Sequence, residues 1–242
     1  MQVRDLKDPV KLDFIAPTGE LWDLFNEIGY SSKWHHYFEI YEELLAPYRD
    51  RPIKLLEIGV FKGGSLNMWS RYLHPDSTIV GIDIKDKVEV DFADNVHFRL
   101  GHQADANFLN EVIEEFGPFD VIIDDGSHLS IDQAGTFIHL FRNGMGRKGL
   151  YVVEDMHAAY WRRYVPNERS FMDACFDLIH LKHSNYLYRP DPTHFMVDAE
   201  ERMEECEYYE KWVHSIQFFD SIVAFHRKEC GQQVVEAGVF DD

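Results

Sequence analysis

The sequence predicts an α/β fold built on a mostly parallel sheet with helices on both faces. Three observations carry the prediction. From residue 53 onward, short apolar runs alternate with segments of helical periodicity. Several of those runs are apolar throughout instead of at every second residue, the pattern of strands buried between two helix layers. Two of them, Phe119–Ile123 and Leu150–Val153, stop abruptly at paired carboxylates, and ligands of open α/β sheets collect beyond the C-terminal ends of the strands.

Residues 20–48 read as helical, with Leu21, Leu24, Phe25 and Ile28, then Tyr37, Ile40, Tyr41, Leu44 and Leu45 at helical spacing, until Pro47 and Pro52 break the pattern. Ile53–Ile58 is a strand and Ser65–Leu73 a helix with Leu66, Met68, Trp69 and Leu73 inward. Thr78–Ile84 and Val96–Leu100 are strands, followed by a helix through Phe108, Leu109, Val112 and Ile113. Phe119–Ile123 is strand, Ile131–Phe141 helix and Leu150–Val153 strand, which completes the βα alternation of a parallel sheet. Residues 168–183 carry a helical stripe of Phe171, Cys175, Leu178 and Ile179. Ser215–His226 reads as two strands around a tight Asp220-Ser221 turn, an antiparallel edge hairpin, and the acidic run Glu200–Glu210 reads as a solvated helix face. The expected organisation is one structural domain, with residues 1–50 as a helical lid segment on a sheet domain of residues 51–242.

The 242 residues, 45% hydrophobic, suffice for one α/β domain with a substantial core. A formal net charge of −19 repels phosphate backbones and anionic lipid, so nucleic acid and membranes are poor partners and a neutral, cationic or metal-bridged substrate is expected. Cys175, Cys206 and Cys230 are too few and too irregular for a disulfide framework. With no apolar signal core at Met1–Asp8 and no run of membrane-spanning length, the expectation is a soluble, cytoplasmic protein.

Two motifs carry chemistry. Leu56-Glu57-Ile58-Gly59-Val60-Phe61-Lys62-Gly63-Gly64-Ser65 links a strand to a helix, where glycines let a ligand approach the backbone. Phe61 stands where a dinucleotide fingerprint needs its second glycine, and Glu57 would repel a pyrophosphate but suits an ammonium group such as that of S-adenosylmethionine. Asp83 at the next strand end could take the ribose hydroxyls, with Gln103 and Asp105 beyond the third strand near the base; a loop or capping role is the competing reading of Asp83. The second motif is Asp124-Asp125-Gly126-Ser127-His128 with Glu154-Asp155 one βα unit later. Neighbouring strands would bring Asp125, Glu154, Asp155 and His128 to one crevice, a hard-cation site with a base beside it. Acidic pairs at strand ends also cap helices, and which of Asp124 and Asp125 faces the metal is open from sequence.

Lys33-Trp34-His35-His36-Tyr37, Tyr41-Glu42, Leu56–Val60, Gly63–Leu66, Asp83-Ile84, Gln103–Asp105, Asp124–His128 and Val153–Asp155 occur in that order. Over residues 30–160 this resembles the metal-dependent class I S-adenosylmethionine O-methyltransferases of the mycinamicin VI 2''-O-methyltransferase type, which methylate sugar hydroxyls of natural products. The resemblance implies a Rossmann-like, seven-stranded sheet; S-adenosylmethionine at Glu57, Gly59, Gly63, Ser65, Asp83, Gln103, Asp105 and Asp124; Mg²⁺ or another hard divalent cation at Asp125, Glu154 and Asp155; and His128 as general base. The acceptor would be a hydroxylated small molecule or a glycan. Lys33, His36 and Tyr37 read either as a lid or as a packed helix, and Tyr160-Trp161 either as a sugar-stacking wall or as core. Phe218, Phe219 and Phe225 leave a homo-oligomer open. A metal-dependent hydroxylase on the same fold, or a non-catalytic cofactor-binding subunit, are the competing functions; the first wants two histidines and one carboxylate, and the second has no use for a base.

Overall fold

A computed structural model describes residues 13, 15–183 and 204–231. Seven strands, β1 (Lys54–Ile58), β2 (Thr78–Asp83), β3 (Val96–Leu100), β4 (Phe119–Asp124), β5 (Met145–Val153), β6 (Val213–Phe218) and β7 (Val223–Lys228), form one sheet in the order β3-β2-β1-β4-β5-β7-β6. Pairs among β1–β5 are parallel, whereas β7 runs antiparallel to both β5 and β6. The hairpin is therefore as expected, closed by Phe219 N–H to the Ile222 carbonyl around Asp220-Ser221, but its second strand enters the sheet and its first becomes the edge.

Successive strand residues face opposite sides, so each run feeds two cores. Leu55, Val121, Ile123, Leu150 and Val152 point to the face covered by α1 (Glu20–Ile28), α2 (Tyr37–Leu45) and α3 (Gly64–Tyr72). Leu56, Ile58, Ile122, Tyr151 and Val153 point to the face covered by α4 (Ala106–Phe116), α5 (Ser130–Asn143), α6 (Phe171–Lys182) and α7 (Glu204–Trp212). The helical reading of residues 20–48 divides into two helices, because Gly29 (φ 65°) and Tyr30 (φ 55°) take left-handed conformations that no helix continues through. Tyr37, Phe38, Tyr41, Leu44 and Leu45 of α2 are all buried in the first core. β5 begins five residues earlier than expected; its first stretch, Met145–Lys148, is mostly polar and gives no apolar run to read.

Registers level the strand ends. Ile58 pairs with Ile82 on one side and Asp124 on the other, and Asp124 pairs with Val153. The chain steps from β1 outward to β2 and β3, then returns to place β4 on the other side of β1. That reversal opens a crevice beyond the ends of β1 and β4, flanked by Asp83, Gly59, Asp125 and Glu154. Among the described residues no helix is long and apolar enough to cross a membrane.

Candidate active site

Three adjoining recesses run along the levelled strand ends. One is lined by Ile58, Gly59, Asp83, Gln103 and Gly126, and the next by Gly59, Ser65, Asp83, Asp125, His128 and Asp155. The third is lined by Lys33, Trp34, His36 and Tyr37 together with Asp125, Glu154 and Asp155, with a volume of about 580 Å³. Shared residues, first Gly59, Asp83 and Gly126, then Asp125 and Asp155, make them one trough.

At the first end the backbone does most of the organising. Gly59 has φ +89°, and a Cβ there would sit 2.0 Å from the Asp125 carbonyl oxygen, so only glycine lets the β1 and β4 loops touch. Asp83 Oδ2 accepts from the Val60 and Phe61 amides at 2.9 and 3.1 Å, and Oδ1 from the Lys85 amide at 2.9 Å. Asp83 thus clamps the glycine loop, and Oδ1 keeps an acceptor site to spare. Gln103 takes the Ser127 amide on its carbonyl (2.8 Å) and donates to Asp124 (3.2 Å).

Not every expected cofactor residue faces the trough. Asp124 is wholly buried below the Gly126 turn, and burial pushes its carboxyl up to about 7 against the bonds from Gly126 and Gln103. Glu57 is wholly buried too; it accepts from Ser65 at 2.7 Å and faces the Lys33 ammonium at 3.7 Å, so the ammonium it meets belongs to the chain. Gly63 (φ +94°) precedes α3, packed against Val90 and Phe92. Asp105 is exposed and caps α4, accepting from the Asn107 and Phe108 amides.

The other end is acidic and wired by side chains. Asp125, His128 and Asp155 each offer one donor atom, all within 4.8 Å of one another. His128 Nε2 lies 3.6 Å from Asp155 Oδ2, and its Nδ1 is buried without a partner in the protein. Both residues hold left-handed backbone, φ 56° and 55°, which costs on the order of 1–3 kcal/mol and persists where the surroundings enforce it. Tyr37 fixes Asp155, donating to Oδ1 at 2.8 Å and accepting from its amide at 3.2 Å.

Glu154 stands outside that cluster. Its Oε1 accepts from Lys33 at 2.5 Å and from the Tyr41 hydroxyl at 2.6 Å, while Lys33 also reaches Asp125 at 2.6 Å. The Lys33 side chain is 2% exposed; burial works against its charge, but Asp125, Glu154 and Glu57 together outweigh it and hold the ammonium well above the ordinary lysine range. Burial and then the charge of Asp125 push Glu154 up to about 8, with Lys33 and Tyr41 pulling the other way. Burial likewise raises Asp125, against Lys33. The sequence reading missed this role of Lys33, together with that of Tyr41. Lys33 lies 92 and 121 residues from its two close partners, a separation no local spacing signals; only the run Lys33–Tyr37 marked the segment.

No protein-family model matches the chain. It is similar to an 8-demethyl-8-(2-methoxy-α-L-rhamnosyl)-tetracenomycin-C 3'-O-methyltransferase of Streptomyces olivaceus, 42% identical over 54% of this chain and 35% of the relative. It is also similar to mycinamicin VI 2''-O-methyltransferase of Micromonospora griseorubida, 40% identical over 52% of this chain and 33% of the relative. The chain therefore spans about a third of the length of these relatives. Among solved structures, MycE methyltransferase of the mycinamycin pathway in complex with Mg and SAH superimposes with a TM-score of 0.74 at 27% identity, over 88% of this chain and 56% of that one. A second crystal form gives 0.75 at 26%, over 94% and 58%. The chain has the fold of that methyltransferase, and the resemblance read from its motifs holds.

Proposed function

We propose that the chain is an S-adenosylmethionine- and Mg²⁺-dependent O-methyltransferase acting on a sugar hydroxyl of a small molecule or glycan. The observation that carries this reading is one trough joining a glycine-floored cradle to the Asp125–His128–Asp155 cluster, in a fold shared with a methyltransferase solved with Mg and SAH. The name of the tetracenomycin relative, an O-methyltransferase of a rhamnosyl-bearing compound, supports the acceptor class.

The residues fit both groups. For the cofactor, Gly59 gives backbone access, Asp83 Oδ1 and Gln103 offer polar contacts, and the exposed Ile84 with Leu129 offers apolar walls. Ser65 lines the trough, whereas Glu57, Gly63 and Asp124 would act by shaping the cradle and Asp105 only by capping α4. For the metal, Asp125 and Asp155 supply oxygen ligands of the kind a hard cation takes, and Glu154 would join them while shared with Lys33. Once bound, the cofactor supplies an electrophilic methyl group and the cation acidifies the acceptor hydroxyl.

The chain's own residues do the rest. His128 takes the proton of the acceptor hydroxyl, a role worth on the order of 10²–10⁴-fold in rate. Asp155, 3.6 Å from Nε2, balances the imidazolium that forms. Tyr37 and Lys33 hold the carboxylates in register, and the 29–36 loop that carries Lys33 acts as the lid, its base fixed by the Gly64 amide donating to the Tyr30 carbonyl at 3.2 Å. The hydroxylase alternative gains no support, since the described cluster holds one imidazole where a facial triad needs two. The −19 charge argues against nucleic acid, and three irregularly spaced cysteines accord with a reducing, cytoplasmic setting.

Calorimetry with S-adenosylhomocysteine beside a Mg²⁺ titration tests the proposal on wild type and Asp125→Ala/Glu154→Ala. Binding of the cofactor product by both proteins and of Mg²⁺ by wild type alone is expected. Absence of cofactor-product binding in wild type overturns the methyltransferase reading.

A further inference from the structure

An arc of aromatic rings borders the acidic end of the trough. Trp34 packs edge-on against His157 at 5.6 Å between centroids, His157 against Trp161 at 4.8 Å, and Tyr164 against His128 at 6.2 Å. Both indoles stay open, Trp34 at 54% and Trp161 at 48% exposure, so neither is core. The arc is built from two distant segments clasped on one turn. His36 Nε2 donates to the Asp220 carbonyl at 3.0 Å, Tyr37 donates to the Ser221 carbonyl, and His157 Nδ1 hydrogen-bonds Ser221 Oγ at 2.5 Å. Trp34 also lines the recess that Asp125, Glu154 and Asp155 line.

Such a recess asks for a ligand with an apolar face and a rim of hydroxyls. An exposed indole offers a flat surface to the C–H face of a pyranose, and the carboxylates of the same recess can accept from its hydroxyls. An anionic ligand is disfavoured by the same carboxylates. We propose that Trp34 and Trp161, steadied by His157 on the Ser221 turn, are the platform that holds the acceptor's neutral sugar ring beside His128. The assignment rests on the methyltransferase reading above and adds which residues select the ring.

The probe is methyl α-L-rhamnopyranoside, read by saturation-transfer NMR on the full chain with Mg²⁺ and S-adenosylhomocysteine present. Wild type is expected to show transfer to the ring C–H protons. Trp34→Ala and Trp161→Ala should each weaken the glycoside by at least about fivefold and leave cofactor-product affinity within about twofold. Trp34→Phe keeps an aromatic face and should recover most of the loss. Phe176→Ala, at an exposed ring stacked on Phe218, should change nothing. Wild-type glycoside affinity in both alanine variants, or no transfer in wild type, overturns the platform. Loss of cofactor-product binding in wild type would instead sink the methyltransferase reading, while a glycoside response dependent on Trp34 and Trp161 would still uphold the platform.

Discussion

The two ends of the trough satisfy their carboxylates in different ways. At Asp83 the partners are backbone amides of Val60, Phe61 and Lys85, within 23 residues along the chain. At Asp125 and Glu154 the principal partner is one side chain, the Lys33 ammonium, delivered from the far N-terminal side. A carboxylate held by main-chain amides needs only a local loop conformation. Carboxylates held by a buried ammonium need the helical layer of α1 and α2 to be docked, and they lose much more if that one group is removed. The first end is a preformed cradle, and the second is a charge balance.

The sharpest way to break this contrast is Lys33→Met. Removing one member of a buried ion pair costs about 3–5 kcal/mol, and the urea midpoint should fall accordingly; Mg²⁺, by restoring positive charge, should recover part of the loss. An unchanged midpoint would mean that Lys33 does not balance the cluster. Gly59→Ala tests the cradle. With φ +89° and a 2.0 Å clash on the Asp125 carbonyl, it should cost about 1–3 kcal/mol and weaken S-adenosylhomocysteine binding measured by calorimetry.

The acidic end should also respond to pH. Glu154 rises from its ordinary 4.5 to about 8 in the folded protein, so the fold favours its protonated form. Its contribution to metal-free stability is fully present below pH 4.5 and is lost as pH rises through 8. Metal ligation needs the ionised form, so Mg²⁺ affinity should climb between pH 6 and about 8 with proton release. Titrations in buffers of different ionisation enthalpy read that release, and a flat profile would detach Glu154 from the metal. The smallest effect is expected at Asp105→Ala. As the cap of α4 it should cost about 1 kcal/mol while leaving cofactor-product binding unchanged; weakened binding would return Asp105 to the cofactor site.

The alternation of apolar strands and amphipathic helices made the parallel sheet legible, because burial on both faces writes itself into composition residue by residue. The terminal hairpin was legible for a similar local reason, two β-rich runs around Asp220-Ser221. The ends of β4 and β5 likewise announced Asp125, His128, Glu154 and Asp155, since an acidic stop after an apolar strand is a local signal. The break at Gly29-Tyr30 was not, as the apolar stripe resumes at helical spacing beyond it.

What the sequence determined by itself was therefore the layer architecture and the residues standing at the strand ends, both consequences of short-range pattern. Tertiary structure alone decided which carboxylates are open and which are sealed: Asp124 beneath its own turn, Glu57 against Ser65 and Lys33, Asp155 open beside His128. It also decided that Lys33 and Tyr41 meet Glu154 and that Trp34 and Trp161 flank one histidine. Those outcomes depend on how far apart segments pack, and packing between distant segments leaves no periodicity in the chain to read.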